Sequence, residues 1–144
     1  MDEISEILKL LNPWWESGSI SPELAKEHKR QEFNRIAKLI SYRYRPILIL
    51  SGLRRVGKTT LLYQSIEKLL KSEKPKNILF FSFDKKVEEI IKILDSYQEL
   101  TNINWKKEKI YVFFDELTKL EDWASKIKLI YDSSPNIKFF VSSS

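Results

Sequence analysis

Two short stretches of this sequence have residue types and spacings that could do chemistry. In the first, Gly52 and Gly57 are separated by four residues, and Lys58 and Thr59 follow directly. This spacing is typical of a phosphate-binding loop, in which glycines let the backbone approach phosphate and successive N–H groups form an anion nest. The lysine can reach the β- and γ-phosphates of a nucleotide, and the threonine hydroxyl can bind Mg²⁺. Four apolar residues precede the loop and a helical pattern follows it, as the motif requires.

The second stretch is the acidic pair Asp115-Glu116, which follows the apolar run 110–114. Such a run predicts a strand buried on both faces, and ligands bind at the carboxyl ends of strands in open α/β sheets. Asp115 could hold Mg²⁺, and Glu116 could polarise an attacking water as a general base. The alternative is a strand followed by an ordinary acidic loop. The phosphate loop in the same chain favours the metal and base roles.

Composition limits the class of protein. A chain of 144 residues with 42% hydrophobic and 31% charged residues is long enough for one globular domain. No apolar run approaches the roughly 20 residues that span a bilayer. The chain has no cysteine and one histidine, so we expect neither disulfides nor a thiolate–imidazole metal cluster, and a cytoplasmic location is the default. The formal charge of +5 suits a polyanionic ligand such as a nucleotide.

The elements that must position these residues alternate along the chain. Apolar runs predict strands at 47–50, 78–82, 110–114 and 137–141. Apolar residues at spacings of three and four predict helices at 58–70, from about Val87 to Tyr97, and from Trp123 to Tyr131. This alternation predicts an α/β fold with a parallel sheet. Upstream, we expect a helix at 2–11, a turn that Asn12 caps, and a helix from Ser21 to about residue 42.

Two groups of residues leave alternatives open. Trp14 and Trp15 could pin the amino-terminal segment onto the core or could form a docking patch for a partner. Every arginine lies between Arg30 and Arg55. This region could be a solvated basic surface, or it could contact nucleotide or nucleic acid with Tyr42 or Tyr44 stacking on a base.

With both motifs in place, the chain resembles the ATPase core of the AAA+ superfamily within the P-loop NTPases. More narrowly, it resembles the archaeal ATPase group of the signal-transduction-type branch. The similarity covers roughly residues 30–144. The matching residues are Arg54-Arg55-Val56-Gly57-Lys58-Thr59-Thr60, Phe114-Asp115-Glu116 with Trp123, and the final strand that runs from Phe139 into Ser142-Ser143-Ser144.

The resemblance implies a set of site residues, with ATP and Mg²⁺ as the ligands. The loop that would bind the nucleotide consists of Gly52, Leu53, Arg54, Arg55, Val56, Gly57, Lys58, Thr59 and Thr60. Thr59 and Asp115 would hold the metal. Glu116, Lys58 and Ser142 would be catalytic, with Ser142 at the family's sensor-one position. Ser143 replaces the glycine usual at the next position, which changes the expected turn.

The resemblance also implies a three-layer α/β/α sandwich with strand order 5-1-4-3-2. The sequence stops after the sensor-one strand, so we expect order 1-4-3-2, without the fifth strand, the helical lid or an arginine finger. We expect residues 1–20 to form an amino-terminal helix and Trp-Trp segment, and residues 21–144 a partial nucleotide-binding core. The first strand would be an edge that the Trp14-Trp15 segment covers, or at which two chains pair into a homo-oligomer.

These expectations combine into Mg-dependent ATP binding with slow hydrolysis, since an arginine finger contributes about 10³–10⁵ in rate. One alternative is a nucleotide-dependent switch or scaffold with little turnover. Another is a nucleic-acid-binding module that uses residues 30–55. Neither alternative predicts a membrane partner.

Overall fold

Four parallel strands form the centre of the protein. The computed structural model describes residues 2–26, 31–40, 47–50 and 57–143. The strands are β1 (Ile47–Leu50), β2 (Ile78–Ser82), β3 (Ile110–Asp115) and β4 (Ile137–Ser142), in the order β1-β4-β3-β2. All three pairings are parallel. The predicted α/β fold and the predicted strand order are confirmed.

Helices cover both faces of this sheet. They are α1 (Glu3–Leu11), α2 (Trp14–Ser17), α3 (Gln31–Ile40), α4 (Lys58–Leu69), α5 (Ile90–Thr101) and α6 (Trp123–Ser133), with 3-10 turns at Pro75–Asn77 and Leu117–Lys119. The core on one face is built from α4, α3 and the segment around Trp14. The core on the other face is built from α1, α5 and α6. The described residues thus form three layers.

The central strand β3 is buried along its whole length because its side chains alternate between the two cores. Phe113 stacks on Phe140 at 4.6 Å between ring centroids on the α4 face. Phe114 meets Phe83 edge-to-face at 5.2 Å on the other face. Each buried phenylalanine contributes about 1.5–3 kcal/mol by its removal from water. This packing fixes the height at which Asp115 emerges at the carboxyl end of the strand.

The helix predicted from Ser21 is wrong in its starting point. The amides of Leu24 and Ala25 donate to the Ser21 carbonyl at 3.0 and 3.1 Å, but this single turn does not continue as a helix. The Lys26 carbonyl instead accepts from the Gln64 side chain at 2.7 Å. That tertiary bond takes a backbone group which a continuous helix would use for itself. The described helix begins at Gln31, and α5 likewise begins at Ile90 rather than near Val87.

The amino-terminal segment covers β2, not β1, so that prediction is wrong. The Asn12 side chain does not cap the following turn. Its Oδ1 accepts from the Phe80 N–H at 2.7 Å and its Nδ2 donates to the Phe80 carbonyl at 2.9 Å. The indole N–H groups of Trp14 and Trp15 both donate to the Ile78 carbonyl, at 3.1 and 2.7 Å. The outward backbone groups of an edge strand need partners, and these three side chains supply them.

The packing role of the tryptophans is confirmed for Trp14, which is completely buried.

Unlike the edge at β2, the outer edge of β1 is not covered by the described part of the amino-terminal segment. Within the described ranges, no strand pairs with it, and Ile49 on this strand is 49% exposed. Pairing of two chains along β1 stays a prediction. The stretch from Tyr42 to Arg45, singled out for nucleotide or nucleic-acid contact, lies outside the described residues.

We predict that Asn12→Ala destabilises the fold by about 2–3 kcal/mol, because the N–H and the carbonyl of Phe80 both lose a buried partner. Urea unfolding followed by circular dichroism measures this change. Lys9→Ala is a suitable control, since Lys9 is exposed on α1 and makes no comparable contact with the sheet. Equal stabilities of the two variants would contradict the importance of the Asn12 bridge.

Candidate active site

The start of α4 has the backbone conformation that the phosphate-loop motif predicts. Gly57 caps the helix with φ 74° and ψ 32°, in the left-handed region that glycine adopts without strain. Its carbonyl accepts the first helical bond, from Leu61, at 3.0 Å. The remaining predicted loop residues, Gly52 to Val56, lie outside the described residues. The described residues of the predicted loop are therefore Gly57 to Thr60, at the start of α4.

Lys58 lies at the carboxyl edge of the sheet. Its side chain is only 4% exposed, and its ammonium group donates to the Ser143 carbonyl. The Ser143 N–H in turn donates to the Leu50 carbonyl at 2.9 Å. The cation is thereby held beside the ends of β1 and β4, which is where a loop that joins β1 to α4 must bring its ligand.

Asp115 joins three elements of the site. Its Oδ2 accepts from the Thr59 hydroxyl of α4 at 3.0 Å, and its Oδ1 accepts from the Ser142 hydroxyl of β4. The carboxylate is 5% exposed. Burial raises the pKa of Asp115 above its ordinary value, and the two hydroxyl donors oppose that rise. A buried carboxylate held by hydroxyl groups is well suited to the charge of a cation.

Glu116 begins the turn after β3 in an unusual backbone conformation. Its φ is 56° and its ψ 40°, a left-handed geometry that non-glycine residues rarely adopt. Its N–H donates to the Ser142 Oγ at 2.9 Å. Ser142 therefore donates to one member of the acidic pair and accepts from the backbone of the other. The left-handed backbone conformation and the hydrogen bond to Ser142 together fix the position of the Glu116 Cα atom, from which the side chain extends.

The donor set suits Mg²⁺ bound together with a nucleotide. The Thr59 hydroxyl and the Asp115 carboxylate are hard oxygen donors, joined at 3.0 Å. Among the described residues, no group of three or more histidine, cysteine, aspartate or glutamate side chains could hold a metal by itself. Mg²⁺ is typically held by one or two carboxylates plus substrate phosphates and water, so a sparse protein ligand set is what this chemistry needs.

Three groups near the site were missed by the sequence analysis. Tyr63 lies four residues after Thr59 on α4, and its pKa is raised by burial and by the negative charge of Asp115. The helical spacing could have identified it. Asp84 follows β2, pairs with Lys119, and its charge helps to raise the pKa of Asp115. The third group is the Ser143 carbonyl, which accepts from Lys58. It is a backbone group, so the residue type at this position could not have identified it.

The geometry brings together Lys58, Thr59, Asp115, Glu116 and Ser142 as predicted neighbours at one edge of the sheet. Thr60 follows in the first turn of α4, and no described contact joins it to the acidic pair. In the described part of the chain, no helix is both long and apolar enough to cross a bilayer.

Comparison with known proteins identifies the family to which the chain belongs. Residues 44–144 match the protein family described as AAA domain. This match spans more than half of the chain, so the chain belongs to the AAA domain family. The uncharacterized protein MJ1637 of Methanocaldococcus jannaschii is 33% identical over 116 residues, which cover 76% of this chain and 24% of that protein. The chain thus spans about a quarter of that relative. The solved structure of PCH-2 from C. elegans is similar over 96% of this chain and 37% of that one, with 14% identity and a TM-score of 0.44.

We predict that Asp115→Asn gains stability relative to the wild type as pH rises from 4 to 8, in the absence of metal and nucleotide. The folded wild type holds the Asp115 proton more tightly than the unfolded chain, whose ordinary pKa is 3.8. Its free energy of unfolding therefore falls as pH rises from about 3.8 through the raised pKa. The asparagine variant lacks this loss.

Urea unfolding of both proteins across this pH range measures the difference. Glu23→Gln, which neutralises an exposed carboxylate, is the control and should track the wild type at every pH. A stability difference between Asp115→Asn and wild type that stays constant with pH would contradict the role of burial.

Proposed function

We propose that this member of the AAA domain family binds Mg-ATP and hydrolyses its γ-phosphate. One observation carries the proposal: the Thr59 hydroxyl donates to the Asp115 carboxylate at 3.0 Å. This bond joins the residue that follows the phosphate-loop lysine to the first acid after a buried strand. Two motifs separated by more than fifty residues in the sequence are thereby parts of one site.

Binding begins with Lys58 and the loop. On nucleotide binding, the Lys58 ammonium exchanges the Ser143 carbonyl for the β- and γ-phosphate oxygens, which carry full negative charge. The phosphate-loop motif predicts that backbone N–H groups from Gly52 to Thr60, together with the positive end of α4, would surround the phosphates. The burial of Lys58 strengthens this attraction, because the surrounding dielectric is lower than that of water.

Thr59 and Asp115 are the residues that would hold Mg²⁺. When bound, this ion neutralises charge on the β- and γ-phosphates during transfer. The Ser142 hydroxyl bonds to Oδ1 of Asp115, which orients the carboxylate plane and leaves Oδ2 on the Thr59 side. Outer-sphere hydrogen bonds of this kind fix the direction of a metal ligand.

Glu116 acts as the general base. Its carboxylate accepts a proton from water while the water oxygen forms a bond to the γ-phosphorus. The bond from that phosphorus to the β–γ bridging oxygen breaks, and the electron pair leaves with ADP. Ser142 is a positioning residue for this step, since its Oγ holds the Glu116 N–H at 2.9 Å.

Finer features of the function also rest on the sequence. The guanine-reading N-K-x-D pattern is absent from the 144 residues, which favours adenine. The absence of arginine after Arg55 favours slow turnover in this chain alone. The R-R-x-G-K-T-T loop, the F-D-E strand end and Trp123 support assignment to the archaeal, signal-transduction-type group, and the similar archaeal protein is consistent with it.

A nucleotide-dependent switch is the second candidate. It is favoured by the bond between Lys58 and the Ser143 carbonyl, because nucleotide would compete for this lysine and release the end of β4. ATP binding without phosphate release would select it. The further alternative is a nucleic-acid module within residues 30–55. The described ranges 31–40 and 47–50 supply no observation that favours it.

We predict that Glu116→Gln lowers ATP turnover at least about 100-fold while ATP affinity stays within a few-fold, since the amide cannot accept the proton. Phosphate release and calorimetric titration of Mg-ATP measure the two quantities. Lys58→Ala is the matched variant for binding and should lose affinity for ATP and ADP alike. Turnover equal to wild type in Glu116→Gln would exclude this residue as the base.

We predict that Ser142→Ala lowers turnover roughly 10- to 100-fold through misplacement of Glu116, with ATP affinity largely kept. Ser142→Thr keeps a hydroxyl and should recover most of the activity. The same assays measure both variants. A role for Ser142 in packing alone predicts the reverse order, because threonine adds a methyl group to a fully buried position.

A further inference from the structure

Three connecting segments meet at the amino-terminal edge of the sheet, opposite the candidate active site. They are residues 70–77 before β2, 102–109 before β3 and 134–136 before β4, continued by Lys138. Side-chain bonds tie the segments together. Asn77 donates to the Lys109 carbonyl at 3.0 Å, and Asn136 donates to the Lys107 carbonyl at 2.7 Å. The Tyr97 hydroxyl donates to the Lys76 carbonyl at 2.6 Å.

This surface, which we term the lysine edge, carries most of the surplus charge of the chain. Its lysines are Lys71, Lys74, Lys76, Lys106, Lys107, Lys109 and Lys138. The same segments contain only two acidic residues, so their surplus equals the formal charge of +5 of the whole chain. All of these lysines except Lys138 are exposed. In the last turns of the helices that lead into these segments, Glu99 of α5 offsets one charge, Asp132 of α6 pairs with Lys128, and Glu67 of α4 is matched by the adjacent Lys68, so the edge keeps a positive surplus.

Both acidic residues of the lysine edge are engaged by neutral groups. Glu73 accepts from the Tyr111 hydroxyl at 2.7 Å, and Glu108 accepts from the Asn104 N–H at 2.6 Å. Two lysines instead crowd one ring: Lys109 and Lys138 lie 5.5 and 5.8 Å from the centroid of Tyr111. Burial, and then the positive charge of Lys109, lowers the pKa of Lys138, and the negative charge of Glu73 opposes this shift. The fold therefore concentrates like charge here.

We propose that the lysine edge binds the phosphate backbone of duplex nucleic acid. Lysine is a compact point charge suited to phosphate, whereas reading bases by bidentate contact favours arginine, which these segments lack. The aromatic rings of the edge, Trp105 and Tyr111, are buried and offer no platform for stacking single-stranded bases. None of the large exposed hydrophobic residues lies in these segments, so a membrane surface would find no apolar anchor.

The dimensions agree with this partner. Neighbouring strands lie about 4.8 Å apart, so the segments before β2, β3 and β4 span roughly 10 Å, and extended lysines widen the reach. A duplex carries one charge per about 1.7 Å of its axis, so several phosphates fit this span. Because the edge is opposite to Lys58 and Asp115, the proposed contact is independent of the proposed ATPase site.

The test is binding of a fluorescent 24-base-pair DNA duplex of arbitrary sequence to the full chain, by anisotropy at increasing NaCl concentration. The variant is Lys74→Ala/Lys76→Ala/Lys107→Ala/Lys109→Ala. It should bind at least tenfold more weakly, and the slope of log K against log salt should fall in magnitude by about 3–4, near 0.9 for each lost phosphate contact. ATP titration of the variant checks its fold at a distant site.

The matched control is Lys9→Ala/Lys85→Ala/Lys86→Ala/Lys92→Ala, which removes four exposed lysines elsewhere and should keep most of the salt slope. Equal loss in both variants would overturn the proposal, as would stronger binding to anionic vesicles than to duplex. If the first variant fails to fold, acetylation of wild-type lysines with and without DNA decides. Protection of Lys74, Lys76, Lys107 and Lys109 supports the contact, and protection elsewhere or none overturns it.

Discussion

The buried carboxylate of Asp115 is the constraint on which the site depends. Removing a carboxylate from water is unfavourable unless donors surround it, and here the donors come from two other elements, Thr59 of α4 and Ser142 of β4. Each bond fixes a register: α4 relative to β3, and β3 relative to β4. Phe113 and Phe114 hold β3 from both faces, so the carboxylate cannot withdraw toward water without disturbing both cores. Burial raises the pKa of Asp115, the two hydroxyl donors oppose that rise, and the negative charges of Glu116 and Asp84 add to it.

The elements that the sequence predicted best are those whose signals are local. The four strands and α4 follow from short apolar runs and from one glycine–lysine–threonine spacing, and the acidic pair follows from its place after β3. The partners of Asn12 could not be predicted in this way. Its bonds reach Phe80, 68 residues away, and nothing in an Asn-Pro pair distinguishes a helix cap from a bridge to a sheet edge. The helix predicted from Ser21 was wrong for a similar reason, because the Lys26 carbonyl accepts a hydrogen bond from the distant Gln64 side chain.

The parallel sheet separates charge along its strand direction. Every strand delivers its carboxyl end to one edge, where Asp115 and Glu116 lie, and its amino end to the other, where the lysines lie. An antiparallel sheet would mix these loops. The connections before β2, β3 and β4 therefore act together as a single surface although they are far apart in sequence.

The two lateral edges of the sheet differ in whether their outward backbone groups have hydrogen-bond partners among the described residues. At β2, Asn12 satisfies the N–H and the carbonyl of Phe80, and both indoles donate to Ile78, so this strand cannot pair with another chain until the amino-terminal segment leaves. At β1, the described residues provide no such cover, and Ile49 is half exposed. An uncovered parallel edge can be extended by a further strand, whereas a covered one cannot. The matched residues make up 24% of the relative, so most of that protein lies outside the matched part. Within the described ranges, the interactions of Asn12, Trp14 and Trp15 therefore close the β2 side of the sheet, and β1 is the side that no described strand covers.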